Sequence, residues 1–271
     1  MELAKITDAE FGKFKNFIYE KAGISMSDAK KSLVLTRLNK RLRHHDISSF
    51  SKYYDFIHSD ENQDELQIVI DLLTTNETYF FREPKHFDFL ENLLPDFTAA
   101  TKPTRIWSAA SSSGEEAYSI AMTMADKLGF NRKWEIIGTD ISSRVVERAR
   151  EGLYPLNEKN QIPTKYLREY CLKGVRSQAG KILIDDKLKE RVNFSSINLN
   201  SSYWPDVGLF DVIFLRNVMI YFDNDTKREL INKMWSKLNP GGYLLIGHSE
   251  SLNGISDRYK AVRPATYQRI D

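Results

Sequence analysis

The chain has 271 residues, a hydrophobic fraction of 41%, a charged fraction of 28% and a net charge of +2, which suits one large soluble domain or two smaller ones. A total so near neutrality does not by itself point to nucleic acid, so any electrostatic partner must be met by a local cluster. The lone Cys171 excludes an internal disulfide and a cysteine-built metal site, the histidines show no ligand spacing, and no apolar run approaches the ~20 residues of a bilayer span.

Asp8 and Glu10 stand where a signal peptide would be basic and then apolar, so a cytoplasmic protein is expected. From Thr7 to about Leu73 the pattern is helical. Phe11, Phe14, Phe17 and Ile18 recur at helical spacing, as do Leu35, Leu38 and Leu42. Thr7 or Asp8 suits the first N-cap and Gly23 the first helix end. The expectation is an all-helical N-terminal domain over residues 1–73, with four or so helices. Its stretch Ala29–His45 carries Lys30, Lys31, Arg37, Lys40, Arg41 and Arg43 with no acidic residue. Arg37 with Arg41, and Lys40 with His44, are four apart, which predicts a basic face for an acidic partner. Plain solvated surface is the competing reading of that face.

After Phe81 short apolar strands alternate with helices. Strands are expected at Arg105–Ser108, Glu135–Thr139, Asp211–Leu215 and Tyr243–Gly247, and helices beginning near Ser113, Ser142 and Asp225. That alternation predicts an α/β domain over 74–271 with a doubly wound, mostly parallel sheet. Between Gly152 and Arg191 it breaks. Tyr170–Leu172 and Lys181–Ile184 read there as strands of a small antiparallel insertion, at about 155–191. An exposed edge in such a unit can accept an extended peptide.

Ligands of open α/β sheets bind outside the carboxyl ends of the strands. The residues there are SAASSSGEE, Asp140, Asn198 with Leu199, and Arg216 with Asn217. Asp140 fits the ribose hydroxyls of a dinucleotide or of a sulfonium cofactor equally well. The first loop separates the two: it holds only Gly114, and Glu115 and Glu116 would repel a diphosphate. S-adenosylmethionine, with an ammonium group and a positive sulfur, suits it better. Each acid also has a local explanation, because Ser113 with Glu116 fits a capping box and an acid there favours the helix dipole.

The segments TTNETYFFREPKHF, SAASSSGEEAYSIAM, GTDIS, FDVIFLRNVMIYFD and LNPGGYLLIGHSESL, in that order from about Leu72 onward, closely resemble the CheR-type chemotaxis receptor methyltransferases. The resemblance implies transfer of a methyl group from S-adenosylmethionine to glutamate carboxylates of chemoreceptor cytoplasmic helices, forming methyl esters. It implies a cofactor site of Asn76, Thr78, Arg82, Glu115, Asp140, Asn198, Leu199, Arg216 and Asn217, with Tyr221 in the active site and no metal. Two segments depart from the family pattern: the first loop lacks a cysteine or threonine between its serines, and the insertion loop KGVRSQAG is less glycine-rich than in members that bind a receptor tail.

An ionised carboxylate attacks the sulfonium methyl without a general base, so the demand on the protein is positioning. Arg82 is the first choice to orient the substrate carboxylate, with Tyr221 as hydroxyl partner; contact between Arg82 and the cofactor's own carboxylate is the equal alternative. A small-molecule or nucleic-acid methyltransferase keeps the fold. RNVMIYFD in place of an Asn/Asp-Pro-Pro-aromatic motif disfavours amino methylation of nucleic acid. A non-catalytic adaptor is the third reading, opposed by Arg82, Asp140 and Tyr221. A monomer that binds neither nucleic acid nor membrane directly is expected.

Overall fold

The structure, a computed structural model, describes residues 4–99, 102–157 and 162–270. It begins with helices α1 (Asp8–Ala22), α2 (Lys31–His44), α3 (Phe50–Ile57) and α4 (Gln63–Leu73). At the start of α1 the Thr7 hydroxyl accepts from the Glu10 amide at 3.2 Å, and the Glu10 carboxylate accepts from the Thr7 amide at 2.9 Å. This is a reciprocal capping box. Gly23, at φ 71°, ends the helix in a left-handed conformation that costs a glycine little. Phe14, Phe17, Leu38, Phe50, Tyr53 and Val69 close a core between these helices.

The basic face expected on α2 is only partly there. Arg37 donates to the carbonyls of Leu72 and Thr74, both at 2.7 Å. Arg41 holds the Glu65 carboxylate at 2.8 and 2.5 Å. Both residues flank the stripe of Val34, Leu38 and Leu42, so Arg37 reaches the end of α4 and Arg41 its first turn, and both are half-buried. Lys40, Arg43 and His44 remain exposed.

The rest of the chain runs α5 (Lys85–Leu93), β1 (Thr104–Ala109), α6 (Glu115–Leu128), β2 (Trp134–Asp140), α7 (Ser143–Glu151), β3 (Leu153–Pro155), α8 (Thr164–Tyr170), β4 (Cys171–Lys173), β5 (Lys181–Ile184), α9 (Asp186–Lys189), β6 (Val192–Ser196), β7 (Phe210–Leu215), α10 (Asn224–Lys237), β8 (Leu238–Ile246), β9 (Tyr259–Arg263) and β10 (Thr266–Arg269). Among the described residues one sheet has the order β6-β2-β1-β7-β8-β10-β9. It is parallel from β6 to β8 and antiparallel beyond. Period-two alternation sorts its residues: Ile106, Ile136, Val212 and Phe214 face α5 and α6, whereas Trp107, Ile213, Leu215 and Leu244 face α10. The strand order reverses at β1 and β7, so a crevice opens at their carboxyl ends.

A second sheet, β3-β5-β4, is the antiparallel insertion. It starts at Leu153, two residues before the expected boundary, and Tyr170 closes α8 instead of opening β4. The edge strands β9 and β10 were not expected. Their sequences YKAVR and TYQR are largely polar and half exposed, as an antiparallel edge permits.

Glu65 is 5% exposed and also accepts from the Tyr53 hydroxyl at 2.5 Å. Burial opposes its charge, but hydrogen bonds from Arg41 and Tyr53 win and hold its carboxyl down at about 2. Replacing Glu65→Ala leaves Arg41 half buried without its partner, and denaturant unfolding should show a loss of about 3 kcal/mol at pH 7. Because the folded carboxyl titrates lower than the unfolded one, the wild-type advantage is complete above about pH 4.5 and should fade as pH falls toward 2.

Candidate active site

A cavity of about 400 Å³ lies at the carboxyl ends of β1, β2 and β7. The loop between α1 and α2 forms one wall through Ile24, Ser25, Met26 and Lys30, and the segment after α4 another through Asn76, Thr78 and Arg82. The strand ends, and the loops and helix that follow them, contribute Ser112, Glu116, Asp140, Asn198, Leu199, Arg216, Asn217 and Tyr221. The helical unit is held against this floor. The Ser25 amide donates to the Tyr221 carbonyl at 2.8 Å, Asn198 Nδ2 to the Lys21 carbonyl at 2.6 Å, and the Tyr19 hydroxyl to Asp223 at 2.6 Å.

The loop after β1 is built for close approach. Ala110 and Ser112 have φ of 63° and 50°, and Gly114 of 93°. A Cβ on Gly114 would stand 2.8 Å from Ala149 Cβ, so that position requires glycine. Gly114 is the N-cap of α6 with no side-chain hydrogen bond, and the capping box expected of Ser113 and Glu116 does not form.

Glu115 does not line the cavity. It is turned beneath the loop at 5% exposure, where it accepts from the Ser113 hydroxyl at 2.7 Å, and burial pushes its carboxyl up. Glu116 lines the cavity in its place. One helical residue is a turn of about 100°, and the left-handed glycine sets which acid faces in.

Asp140 is 6% exposed; its two oxygens accept from the amides of Ser112 at 2.9 Å and Ser142 at 3.0 Å. Burial raises its carboxyl pKa and these amides oppose the rise. One side chain thereby sets the loops after β1 and β2 against each other and keeps lone pairs toward the cavity.

Arg216, 1% exposed at its side chain, lies between Glu116 at 2.9 Å and Glu83 at 3.0 Å, and also donates to the Arg82 carbonyl. Glu116 takes a further bond from Ser108 at 2.7 Å. Glu83 accepts from Asn217 Nδ2 at 3.3 Å and the His248 amide at 3.2 Å. Burial pushes the Glu83 carboxyl up, but the Arg216 charge outweighs it and the net pKa is lowered. Two carboxylates thus face one guanidinium, and the cavity itself is lined by Glu116 and Asp140 on its floor and by Lys30 and Arg82 on its walls, so it offers carboxylates to a positive group of a ligand and cations to a negative one. Arg82 is half exposed, donates to the Glu77 carbonyl at 2.9 Å and lies 5.6 Å over the Tyr79 ring.

Glu83, His86 and His248 also bring ligand-type atoms within 4.8 Å of one another, a grouping that sequence spacing did not show. Burial and the Arg216 charge depress the buried His86 to about 3. A divalent cation there would compete with Arg216 for the same Glu83 oxygens. Sequence reasoning missed Glu83, although it follows Arg82 directly, because its partners lie just after β7 and after β8.

The family profile described as CheR methyltransferase, SAM binding domain, matches residues 76–268, and that of the CheR methyltransferase all-alpha domain matches 9–74. A chemotaxis protein methyltransferase of Borreliella burgdorferi is 41% identical over 97% of this chain and 95% of its own length. One from Escherichia coli is 38% identical over 95% and 90%. Chemotaxis protein methyltransferase 2 of Pseudomonas aeruginosa is 39% identical over 96% and 93%.

Replacing Arg216→Met leaves two buried carboxylates without a cation and should lower unfolding free energy by about 3 kcal/mol. The deficit should be largest near neutrality and shrink as acid protonates Glu83, whose carboxyl Arg216 holds down. An equal deficit at pH 4 and pH 7 would count against the network.

Proposed function

The chain belongs to the CheR methyltransferase family, and we propose that its cavity holds S-adenosylmethionine so that a glutamate carboxylate of a chemoreceptor helix reaches the methyl group from the outer side. The protein is an S-adenosylmethionine-dependent methyltransferase. The observation that carries the site reading is the cavity at the switch point of the sheet, where Asp140 and Glu116 stand beside a loop without the multiple glycines a pyrophosphate needs. When bound, the cofactor supplies an electrophilic sulfonium methyl.

We assign the residues as follows. Asp140 accepts from the ribose hydroxyls, with Asn198 and Leu199 closing the adenosine side. Glu116 and Glu83, balanced in part by Arg216, keep negative potential near the sulfonium. Asn76, Thr78 and Asn217 supply hydrogen bonds along the cavity, and the loop between α1 and α2 excludes water. Arg82, at the mouth, orients the substrate carboxylate with the Tyr221 hydroxyl. The carboxylate is ionised at neutral pH, so no proton needs to be removed and catalysis comes from positioning.

Residues 1–73 act in this reading as a helical domain and 74–271 as the methyltransferase domain, with the insertion at about 155–191. Lys40 and His44, exposed together with Arg43 on α2, would meet acidic residues of the receptor helix in the cytoplasm. Arg37 and Arg41 are taken up by the core. A receptor tail peptide would add to the edge strand β4, where Leu172 and Val175 are exposed; deleting 175–179 should then weaken tail-peptide binding.

The test is transfer of labelled methyl from S-adenosylmethionine to a receptor cytoplasmic fragment. The label should be released as methanol in mild alkali, as an ester requires, and should vanish when the accepting glutamates become alanine. Label stable to alkali would contradict carboxylate methylation. Tyr221→Phe should lower kcat by about 10²-fold if its hydroxyl positions the nucleophile.

A further inference from the structure

The turn that follows β7 carries Arg216, Asn217 and Tyr221 into the cavity, yet its own backbone is not part of any strand or long helix. Asn217 sits at φ 57°, a left-handed conformation rare for a side-chain-bearing residue. Asparagine tolerates that conformation, and the turn keeps two backbone bonds of its own, from the Tyr221 amide to Val218 and from the Phe222 amide to Met219; the amides of Asn217 and Ile220 need a partner outside it. The fixing group is Glu250, in the loop just after β8. Its Oε2 accepts from the Gly247 amide at 2.6 Å and the Asn217 amide at 3.0 Å. Its Oε1 accepts from the Ile220 amide at 3.2 Å, and the Met219 amide is a further donor to it. Burial pushes the carboxyl up while these amides pull it down.

We infer that Glu250 is a positioning residue for methyl transfer: its carboxylate gathers the amides of the 217–220 turn and thereby sets where Asn217 and Tyr221 stand in the cavity. The inference rests on the assignment of Tyr221 above. Among the described residues no basic side chain pairs with Glu250, and it accepts from backbone N–H groups, so its role depends on two acceptor oxygens and not on charge balance. Space around it is already filled. A Cβ on Gly247 would stand 2.8 Å from Glu250 Oε2 and 2.6 Å from Asn217 Nδ2, so a side chain there would push on both groups.

Glutamine at position 250 keeps one acceptor but turns an NH₂ group toward amide donors, which opens the turn without changing side-chain size. Glu250→Gln should lower kcat on a receptor fragment by about 10²-fold, as a displacement near 1 Å can do. Its KM for the fragment and its affinity for S-adenosylhomocysteine, held mainly at the Asp140 side, should change by less than about tenfold. A purely structural role would move the unfolding midpoint and leave kcat of the folded protein alone.

The deciding experiment is a cycle of Glu250→Gln, Tyr221→Phe and the double variant. If Glu250 works through Tyr221, the double variant is no slower than Tyr221→Phe within about threefold. Full additivity of the two losses, or unchanged kcat in Glu250→Gln, overturns the inference. Unchanged kcat in Tyr221→Phe overturns the Tyr221 assignment instead, and with it the route through which Glu250 was to act. Should Glu250→Gln not fold, Glu250→Asp takes its place in the cycle, since it keeps both acceptor oxygens but withdraws them by one methylene from the amides; the same outcomes then decide.

Discussion

A single guanidinium, that of Arg216, ties three separate parts of the chain together at one buried point. Glu83 comes from the segment leading out of the helical unit, Glu116 from the first turn of α6, and Arg216 from the end of β7. Burying so many charged groups at one spot is costly unless each is paired and hydrogen-bonded. Here Ser108, Asn217, the His248 amide and the Arg82 carbonyl complete the set. The residue that precedes Glu83 is Arg82 and the one that follows Arg216 is Asn217, so pinning the network also places two cavity-lining side chains.

The helical unit belongs to the same site. Its α1–α2 loop forms a wall of the cavity, and its hydrogen bonds to Tyr221, Asn198 and Asp223 cross onto the loops after β7 and β6. On the other flank, Asp71 of α4 accepts from the Ser143 hydroxyl at 3.0 Å and Gln67 donates to the Ile141 carbonyl at 3.1 Å. A unit attached on both sides of the cavity would, in the proposed reading, shield a methyl donor held there from water, and Lys40, Arg43 and His44 of α2 stay exposed.

Much of this was legible in the sequence because it depends on local pattern. The alternation of apolar strands with helices places β1, β2, β7 and β8, and Thr7 and Gly23 mark both ends of α1. Asp140 is readable because a strand end has a known geometry. What was not legible depends on orientation or distant pairing. Glu115 and Glu116 are adjacent letters, and the left-handed Gly114 decides which faces the cavity. Arg37 and Arg41 have the spacing of a surface stripe, but Glu65 and the carbonyls ending α4 draw them inward. Glu83 and Glu250 act on residues more than thirty positions away or in a different turn, which no local spacing encodes. The edge strands β9 and β10 lack the apolar run that marks a buried parallel strand.

The central claim is that this cavity is a site for a cationic adenosine cofactor held by Asp140. Calorimetric titration of the protein with S-adenosylhomocysteine, beside a folded Asp140→Ala variant, tests it most directly. Saturable binding to the wild type and its loss by about 10²-fold or more in the variant is the predicted result, since a buried carboxylate bonded to the ribose would contribute roughly 3 kcal/mol. Equal affinity of the two proteins, or no binding by a wild type shown to be folded, would contradict the account.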